Sequence, residues 1–382
     1  MRLFIEPTET LLFRNGRPFD AGQDNFAESL FPPTPETIQG AVRATIATYW
    51  DPEKNIADAF NDPKLTNRIG DRNSYGRFRI TGFALGRYAE DQSEKVERLF
   101  PPPAHIMEDG SRLHRLLPRA LPEPSLEATL ITNFPEDITY YLAPTESTSD
   151  ELKPLTGWLT EKDLYKMLGT EDLTNIETIK KEDIYQEESR LGIGIQRGTK
   201  ATEEGYLYQT VMIRMNHHMD HEYRYGFVVD IQLIPLSVHN TPLDDTQTQE
   251  ELHLPKSGVM TIGGEQRTAH FRIIPTILVD EKPLKGDSSL LYLATPATFD
   301  TGWKPSSRFA PLDTPLTAAI NRYESIGGWK LNSGDAKGEH KAMQRCVPAG
   351  SVYFFNEKVV LPQALTDYGM EIGYGSIYEG AW

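Results

Sequence analysis

Thr34-Pro-Glu-Thr-Ile-Gln-Gly-Ala-Val-Arg-Ala-Thr-Ile-Ala-Thr-Tyr49 is the stretch on which the fold turns. Thr34 suits an N-cap, Pro35 suits the first helical position because no N–H is needed there, and Glu36 complements the positive helix end. Ile38, Val42, Ile46 and Tyr49 recur at helical spacing and draw one apolar stripe. Asp51-Pro52 ends the helix, since a residue before proline is pushed out of the helical region. Upstream, Arg2 to Glu6 reads as a strand, and Asn15-Gly16 between Leu11-Leu12-Phe13 and Phe19 signals a tight hairpin turn. Downstream, Phe78 to Tyr88 reads as a strand with Arg77 and Arg79 opposite Phe78 and Ile80. Strand, helix, strand opens an α+β sandwich in which a sheet is backed by helices.

Further along, Pro101 to Pro124 is punctuated by prolines and reads as a surface wrap. Thr160 to Leu168 reads as a second helix with Thr160 as cap and Asp163 at the third helical position. The charged stretch around it, residues 145–188, reads as an acidic insertion on a domain edge. From Tyr206 the chain is β-rich: Tyr206 to Met215, Tyr223 to Ile234, His270 to Val279, Leu290 to Ala294 and Ser351 to Val360. A soft boundary near 200 divides it into an N-terminal domain, 1–200, and a C-terminal domain, 201–382. The β-α-β-β-α-β ferredoxin-like unit of RNA-recognition domains is one solution that suits both halves.

The 382 residues, 38% of them hydrophobic, exceed one ordinary core. A single cysteine, Cys346, excludes an intramolecular disulfide and a multi-cysteine zinc cluster, and it fits a reducing compartment. Met1-Arg-Leu-Phe-Ile-Glu6 meets a carboxylate too early for a signal peptide, and no apolar run approaches the ~20 residues of a membrane helix. A cytoplasmic protein with no membrane partner is expected.

The net charge of −16 argues against a general nucleic-acid binder, but it is unevenly spread. Thr145 to Arg190 holds 12 acids against 6 bases, and Asn240 to Pro255 holds 4 acids and no Lys or Arg. Asn67 to Arg87, by contrast, carries 5 arginines and one acid, and Gly302 to Arg345 carries 7 bases and 4 acids. A phosphate chain feels the local field, which decays within about 10 Å in salt. A limited RNA groove is therefore compatible with an acidic total.

No enzyme signature stands out. Gly373-Tyr-Gly375-Ser-Ile-Tyr-Glu-Gly380 lacks the third glycine of a dinucleotide fingerprint, having Tyr378 there, and lacks the Lys-Ser/Thr of a P-loop. Gly192-Ile-Gly194 fails in the same way at Arg197. There is no Gly-x-Ser-x-Gly elbow and no His-Glu-x-x-His. Cys346, before the Val347-Pro-Ala-Gly350 turn, reads as a small buried residue. His217-His-Met-Asp-His221 has helical metal-ligand spacing, yet its flanks read as strands, which would leave it a solvated connection. No catalytic residue, metal or cofactor is assigned.

Phe13-Arg-Asn-Gly-Arg-Pro-Phe19 sets Arg14 and Arg17 across a tight turn, where like charges repel unless solvent or an anion lies between them. Guanidinium forks match phosphate, and a solvated hairpin tip is the plain alternative. Gly373, Gly375 and Gly380 would let a sugar-phosphate chain approach the backbone, with Tyr374 and Tyr378 as stacking rings; a simple turn between strands is the alternative. Gly263-Gly264 with Arg267 is a second candidate anion nest or an ordinary turn.

Phe13 to Phe19, Ser29-Leu-Phe-Pro-Pro-Thr-Pro35 and Ile38-Gln-Gly-Ala-Val-Arg43 together resemble the opening of the subunit-three family of type III-B CRISPR (Cmr) effector complexes. The resemblance continues through Arg190-Leu-Gly-Ile-Gly194, Glu204-Gly-Tyr-Leu-Tyr208, Ile262-Gly-Gly-Glu-Gln-Arg267, Gly328-Trp329 and Val347-Pro-Ala-Gly-Ser-Val-Tyr-Phe-Phe355. It closes on the glycine loop of the repeat-associated (RAMP) RNA-binding superfamily. One block alone is weak; their order along nearly the whole chain is specific. Asn15 stands where an acidic residue is usual, and 145–188 matches no family motif.

The resemblance implies paired ferredoxin-like (RRM-like) domains serving antiviral defence by holding the 5′ repeat handle of the CRISPR guide RNA. It implies contacts with a large polymerase/cyclase-like subunit and a backbone subunit, target cleavage belonging to the latter. On it, Arg14, Arg17, Arg43, Gly263, Gly264, Arg267, Gly373, Gly375 and Gly380 are the expected RNA-binding residues. A rival is a metal-independent endoribonuclease of the same superfamily that processes precursor RNA. It needs a general base such as His, Tyr or Lys beside the 2′-hydroxyl. None of the nine histidines falls in the N-terminal motif or the glycine loop. A carbohydrate-binding β-sandwich would require binding indifferent to salt.

Overall fold

A computed structural model describes residues 1–14, 26–121, 139–146, 151–195, 198–199, 201–216, 222–236, 243–276, 286–330 and 339–382. β1 (Arg2–Pro7) leads through β2 (Phe26–Glu28) to α1 (Pro35–Trp50). The Thr34 hydroxyl accepts the Thr37 N–H at 3.4 Å, a cap worth about 1 kcal/mol. Ile38, Val42 and Ile46 are sealed in the core, each stabilising the fold by roughly 1.5–3 kcal/mol. The helix ends at Asp51, in extended conformation before Pro52.

Short helices α2 (Ile56–Ala59) and α3 (Pro63–Ile69) precede strands β3 (Phe78–Ala89), β4 (Glu97–Phe100), β5 (Ile106–Glu108) and β6 (Leu113–Ala120). Next come β7 (Tyr140–Pro144), β8 (Lys153–Pro154), β9 (Leu159–Thr160), α4 (Glu161–Leu168) and α5 (Lys181–Ile184). A long hairpin, β10 (Tyr185–Ile195) and β11 (Thr202–Met215), is followed by β12 (Tyr223–Leu233), α6 (Asp245–Leu252), β13 (Ser257–Ile262) and β14 (Arg267–Ile274). The final segment holds β15 (Ser289–Leu293), β16 (Thr317–Ala319), β17 (Glu324–Ile326), β18 (Trp329–Lys330) and β19 (Glu339–His340). It ends with β20 (Gln344–Cys346), β21 (Val352–Phe354) and β22 (Ile377–Ala381).

The main sheet has seven strands in the order β13-β14-β1-β12-β3-β4-β9, all neighbours antiparallel. One rung across it runs Phe271, Ile5, Phe227, Leu85. Those side chains join Ile38, Val42 and Ile46 of α1 and Leu252 of α6 in the principal core. Period-two alternation sends Phe4, Val228 and Ala84 to the other face. There Ala84 and Phe100 pack against the second sheet, β16-β21-β15-β22, through Leu290, Tyr292 and Phe354. The architecture is α+β.

Several expectations are corrected. Strands from both sides of position 200 share the main sheet, while the second sheet draws only on residues from Ser289 onward. By sheet membership the chain divides between 276 and 287, because β1 needs β12 and β14 as neighbours on either side. Among the described residues after Leu252 there are 3-10 turns but no α-helix, so the second sheet is not backed by helices of its own. Its helical cover is α4, whose Leu164 and Leu168 are sealed against Leu290 and Phe354. Within the 145–188 stretch, β9 forms the edge strand of the main sheet and α4 lies against the second sheet. Pro101 to Pro124 is not a plain surface wrap, since His105 and Ile106 are fully buried and β5 and β6 pair within it. No described helix is long and apolar enough to cross a membrane.

Candidate nucleic-acid interface

A groove of about 470 Å³ opens beside the N-terminal end of α1. Its floor is the face of α1 bearing Thr37, Gly40, Ala41 and Ala44, whose small side chains leave room above the helix. One wall is the chain from Leu12 to Arg14. Leu30 donates its N–H to the Phe13 carbonyl at 2.8 Å, and Arg14 bridges to Ser29, so the wall is braced by the segment entering α1. Arg14 itself is exposed. The opposite wall is Ile326 to Gly328. Lys341 ties that wall to α1 by an ion pair with Glu36 and by donating its N–H to Gly328 at 2.9 Å.

Gly263 and Gly264 close the groove's far end. Gly263 has φ +73°, and a Cβ there would lie 2.7 Å from the Leu12 carbonyl oxygen. Gly264 donates its N–H to that same oxygen at 2.8 Å. The pair is thus a close backbone crossing, not the open anion nest read from the sequence. It still brings both glycines into one groove with Arg14.

A family model described as CRISPR-associated protein (Cas_Cmr3) matches residues 3–382. The chain belongs to the Cas_Cmr3 family. No curated protein matches the sequence. Two similar solved chains come from cryo-EM structures of the type III-B Cmr-beta complex. One is bound to cognate target RNA and AMPPnP, state 1; it is 17% identical, with a TM-score of 0.47, and the match covers 93% of this chain and 86% of that chain. The other, from the complex bound to cognate target RNA, has 17% identity, a TM-score of 0.48 and the same coverage. The motif-based resemblance to the third Cmr subunit is borne out by the family match, and the chain is a Cmr effector subunit of the type III-B class.

In this Cas_Cmr3 chain the remaining expected site residues that are described stand away from the groove or are already engaged. Arg43 points its guanidinium to the Asp71 carbonyl at 2.7 Å and lies 5.7 Å over both the Phe60 and Tyr75 rings. Burial lowers its pKa, partly offset by Tyr75 and Asp71. Arg43 clamps α1 to the following loop. Arg267 faces Glu265 at 2.5 Å and Glu9 at 3.7 Å, so two carboxylates already occupy its fork. Arg17, with the Asn15-Gly16 turn, and the His217-to-His221 cluster lie outside the described residues.

The glycine loop is corrected most sharply. Gly373, Tyr374, Gly375 and Gly380 are buried. Gly373 donates to Met370, Tyr374 to Gly369 and Gly375 to Pro296, while the Ser376 N–H goes to the Thr295 hydroxyl. The N–H groups that would cradle a phosphate are spent inside the protein. Gly375 has φ +67°, and a Cβ would sit 2.6 Å from the Leu365 carbonyl; at Gly373 it would meet Ile80 at 2.8 Å. Tyr374, 1% exposed, has no ring face for a base. Tyr378 packs edge-on against Phe100, Tyr165 and Tyr292.

Most of the basic run from Asn67 to Arg87 is likewise engaged: Arg68 and Arg77 share Glu251, Arg87 pairs with Glu97 at 2.8 Å and Arg79 donates to the Gly76 and Phe78 carbonyls, while Arg72 is exposed. Cys346 is 1% exposed, and burial pushes its thiol up to about 12, which fits an inert core residue. What the sequence reading missed is the role of Glu36, Ile326, Gly328 and Lys341 in forming the groove. The available signals were the Gly328-Trp329 block and the basic bias of Gly302 to Arg345, which contains Lys341.

Proposed function

We propose that this subunit is a non-catalytic RNA-holding protein. It grips the 5′ repeat handle of the CRISPR guide RNA in the groove beside α1 and joins the large polymerase/cyclase-like subunit to the backbone subunit. The observation that carries the reading is the meeting of Arg14, Gly263 and Gly264, from family blocks about 250 residues apart, on one groove at a helix N-terminal end. A positive helix end and an exposed guanidinium suit phosphates even on a chain of net charge −16.

The fold supports the same reading. Within the main sheet, β1, α1, β3, β12, α6 and β14 follow the β-α-β-β-α-β order, with strands arranged β14-β1-β12-β3 and both helices on one face. We read this part as a ferredoxin-like unit. The long hairpin beside it exposes Leu191, Ile193, Ile195 and Leu207, an apolar area suited to being covered on assembly.

The described residues lining the groove include no His, Tyr or Lys, and Glu36 is engaged with Lys341, which disfavours the ribonuclease rival. Purified chain incubated with repeat RNA in EDTA separates the two readings. Retention of intact RNA is expected; metal-independent cutting that co-purifies with the chain would favour the ribonuclease.

A further inference from the structure

A second cavity, about 530 Å³, lies beyond the groove in the C-terminal segment and belongs to none of the expected sites. Its size falls in the range of about 300–1,000 Å³ typical of small-ligand pockets. The two cavities meet at one rung: Ile326 lines the groove, Gln344 lines the second cavity, and the two are direct partners between β17 and β20. Directly paired residues in an antiparallel ladder stand only about 5 Å apart. Tyr368 of the second cavity also senses the groove: burial raises its phenol pKa, and the Glu36 carboxylate raises it further.

The second cavity is built rather than incidental. The Asp367 side chain, 8% exposed, accepts the Ser306 hydroxyl at 2.6 Å and the Asp300 N–H at 2.9 Å, and it faces Arg308 Nε at 3.7 Å. Asp367 is therefore internal scaffolding. What faces the opening is the exposed Asp300 carboxylate, the exposed Gln344 amide, the outer Arg308 edge and the Tyr368 ring.

Charge decides which part of a nucleotide this set accepts. Two carboxylates against one guanidinium disfavour a phosphate. A carboxylate and an amide instead accept and donate to sugar hydroxyls and base edges, and a phenol ring offers a stacking face. The geometry points to this cavity as the seat of one unpaired ribonucleoside of the RNA held in the groove, with its base on Tyr368 and Gln344 and its 2′-hydroxyl donating to Asp300. Its phosphates stay outside, toward Arg308 and the groove. The subunit thereby distinguishes RNA from DNA at a single position. This inference rests on the groove reading for the strand that enters it.

The test titrates the full chain with guide RNA carrying its 5′ repeat handle and with copies bearing one 2′-deoxy substitution at each handle position in turn. One position is expected to cost about five- to tenfold in affinity with the native chain, and the same substitution should cost nothing in Asp300→Ala, which has no side-chain acceptor. Gln344→Ala should weaken the unsubstituted RNA by a similar factor. Both side chains are exposed, so the variants retain the fold. No sensitive position, or one whose penalty persists in Asp300→Ala, overturns the pocket assignment. If Arg14→Ala leaves RNA binding unchanged while the Asp300-dependent penalty stands, the groove reading fails and the pocket survives.

Discussion

Tyr378 donates its hydroxyl to Glu161 at 3.1 Å, joining the last strand of the chain to the first turn of α4 across 217 residues. Glu161 also receives Arg98, whose Nε lies 3.1 Å away, and Arg98 reaches Asp230 at 3.4 Å. Arg2 completes the chain with two bonds to Asp230, at 2.6 and 3.0 Å. One buried polar network thus runs from β1 through β12 and β4 to β22, which makes the two sheets a single unit. Removing Glu161 leaves the largely buried Arg98 with Asp230 as its remaining carboxylate. Glu161→Ala should cost roughly 1–3 kcal/mol in urea unfolding, and Tyr378→Phe about 1 kcal/mol. Equal, negligible losses would mean the sheets dock by apolar contact alone.

Gly375→Ala should act on stability, not on RNA contact. Its positive φ and the crowding against the Leu365 carbonyl predict a loss of about 1–3 kcal/mol or more, read as a lower midpoint in denaturant. The folded fraction should bind guide RNA as tightly as the native chain. An unchanged midpoint with weakened RNA binding would restore the loop as a contact surface.

How much was legible follows from how local each signal was. The α1 cap, stripe and stop all lie within 18 residues, so the helix was readable to its ends. Arg14 was singled out from a local pattern and stands exposed on the groove wall, while the Asn15-Gly16 turn and Arg17 of that pattern lie outside the described residues. The glycine loop misled for a physical reason: a backbone that lets RNA approach also lets another backbone approach, and Leu365 fills that space. Arg43 misled because its ring cage comes from Phe60 and Tyr75, which sequence spacing does not place around it. The tie of the Ile326-to-Gly328 wall to α1 through Glu36 and Lys341, and the packing of α4 on the second sheet, join residues more than 100 positions apart, which local patterns do not place together.

His105 predicts an acid-sensitive seam. It is fully buried, edge-on to Phe354 at 5.7 Å, and burial, with Arg115 nearby, pushes its pKa down to about 3. An unfolded histidine takes a proton near pH 6.5, whereas the folded one does not until about 3. The unfolded state therefore binds more protons in that window, and stability present above about 6.5 is lost as pH falls towards 3. Between pH 7 and 5, a range where carboxylates contribute little, the native chain should lose about 2 kcal/mol. His105→Leu should flatten that slope; a slope of equal size in the variant would assign it elsewhere.

Arg14 and Arg43 should separate cleanly although both belong to the N-terminal family blocks. Arg14→Ala should weaken guide-RNA binding by roughly 1–3 kcal/mol and shallow its salt dependence, with little change in melting. Arg43→Ala should lower the melting temperature while leaving the salt slope intact. The reverse pattern, from anisotropy titrations at two salt concentrations and thermal melts, would exchange the roles given to the two arginines.

The central claim is that the handle lies in the groove between α1 and the Ile326-to-Gly328 wall. Photocrosslinking a 4-thiouridine-bearing handle to the full chain, followed by peptide mapping, tests it most directly. Crosslinks should fall on the peptides containing Leu12 to Arg14, Thr34 to Ala44 and Ile326 to Gly328. Crosslinks confined to other surfaces, with these three peptides unlabelled in a complex of normal affinity, would contradict the account.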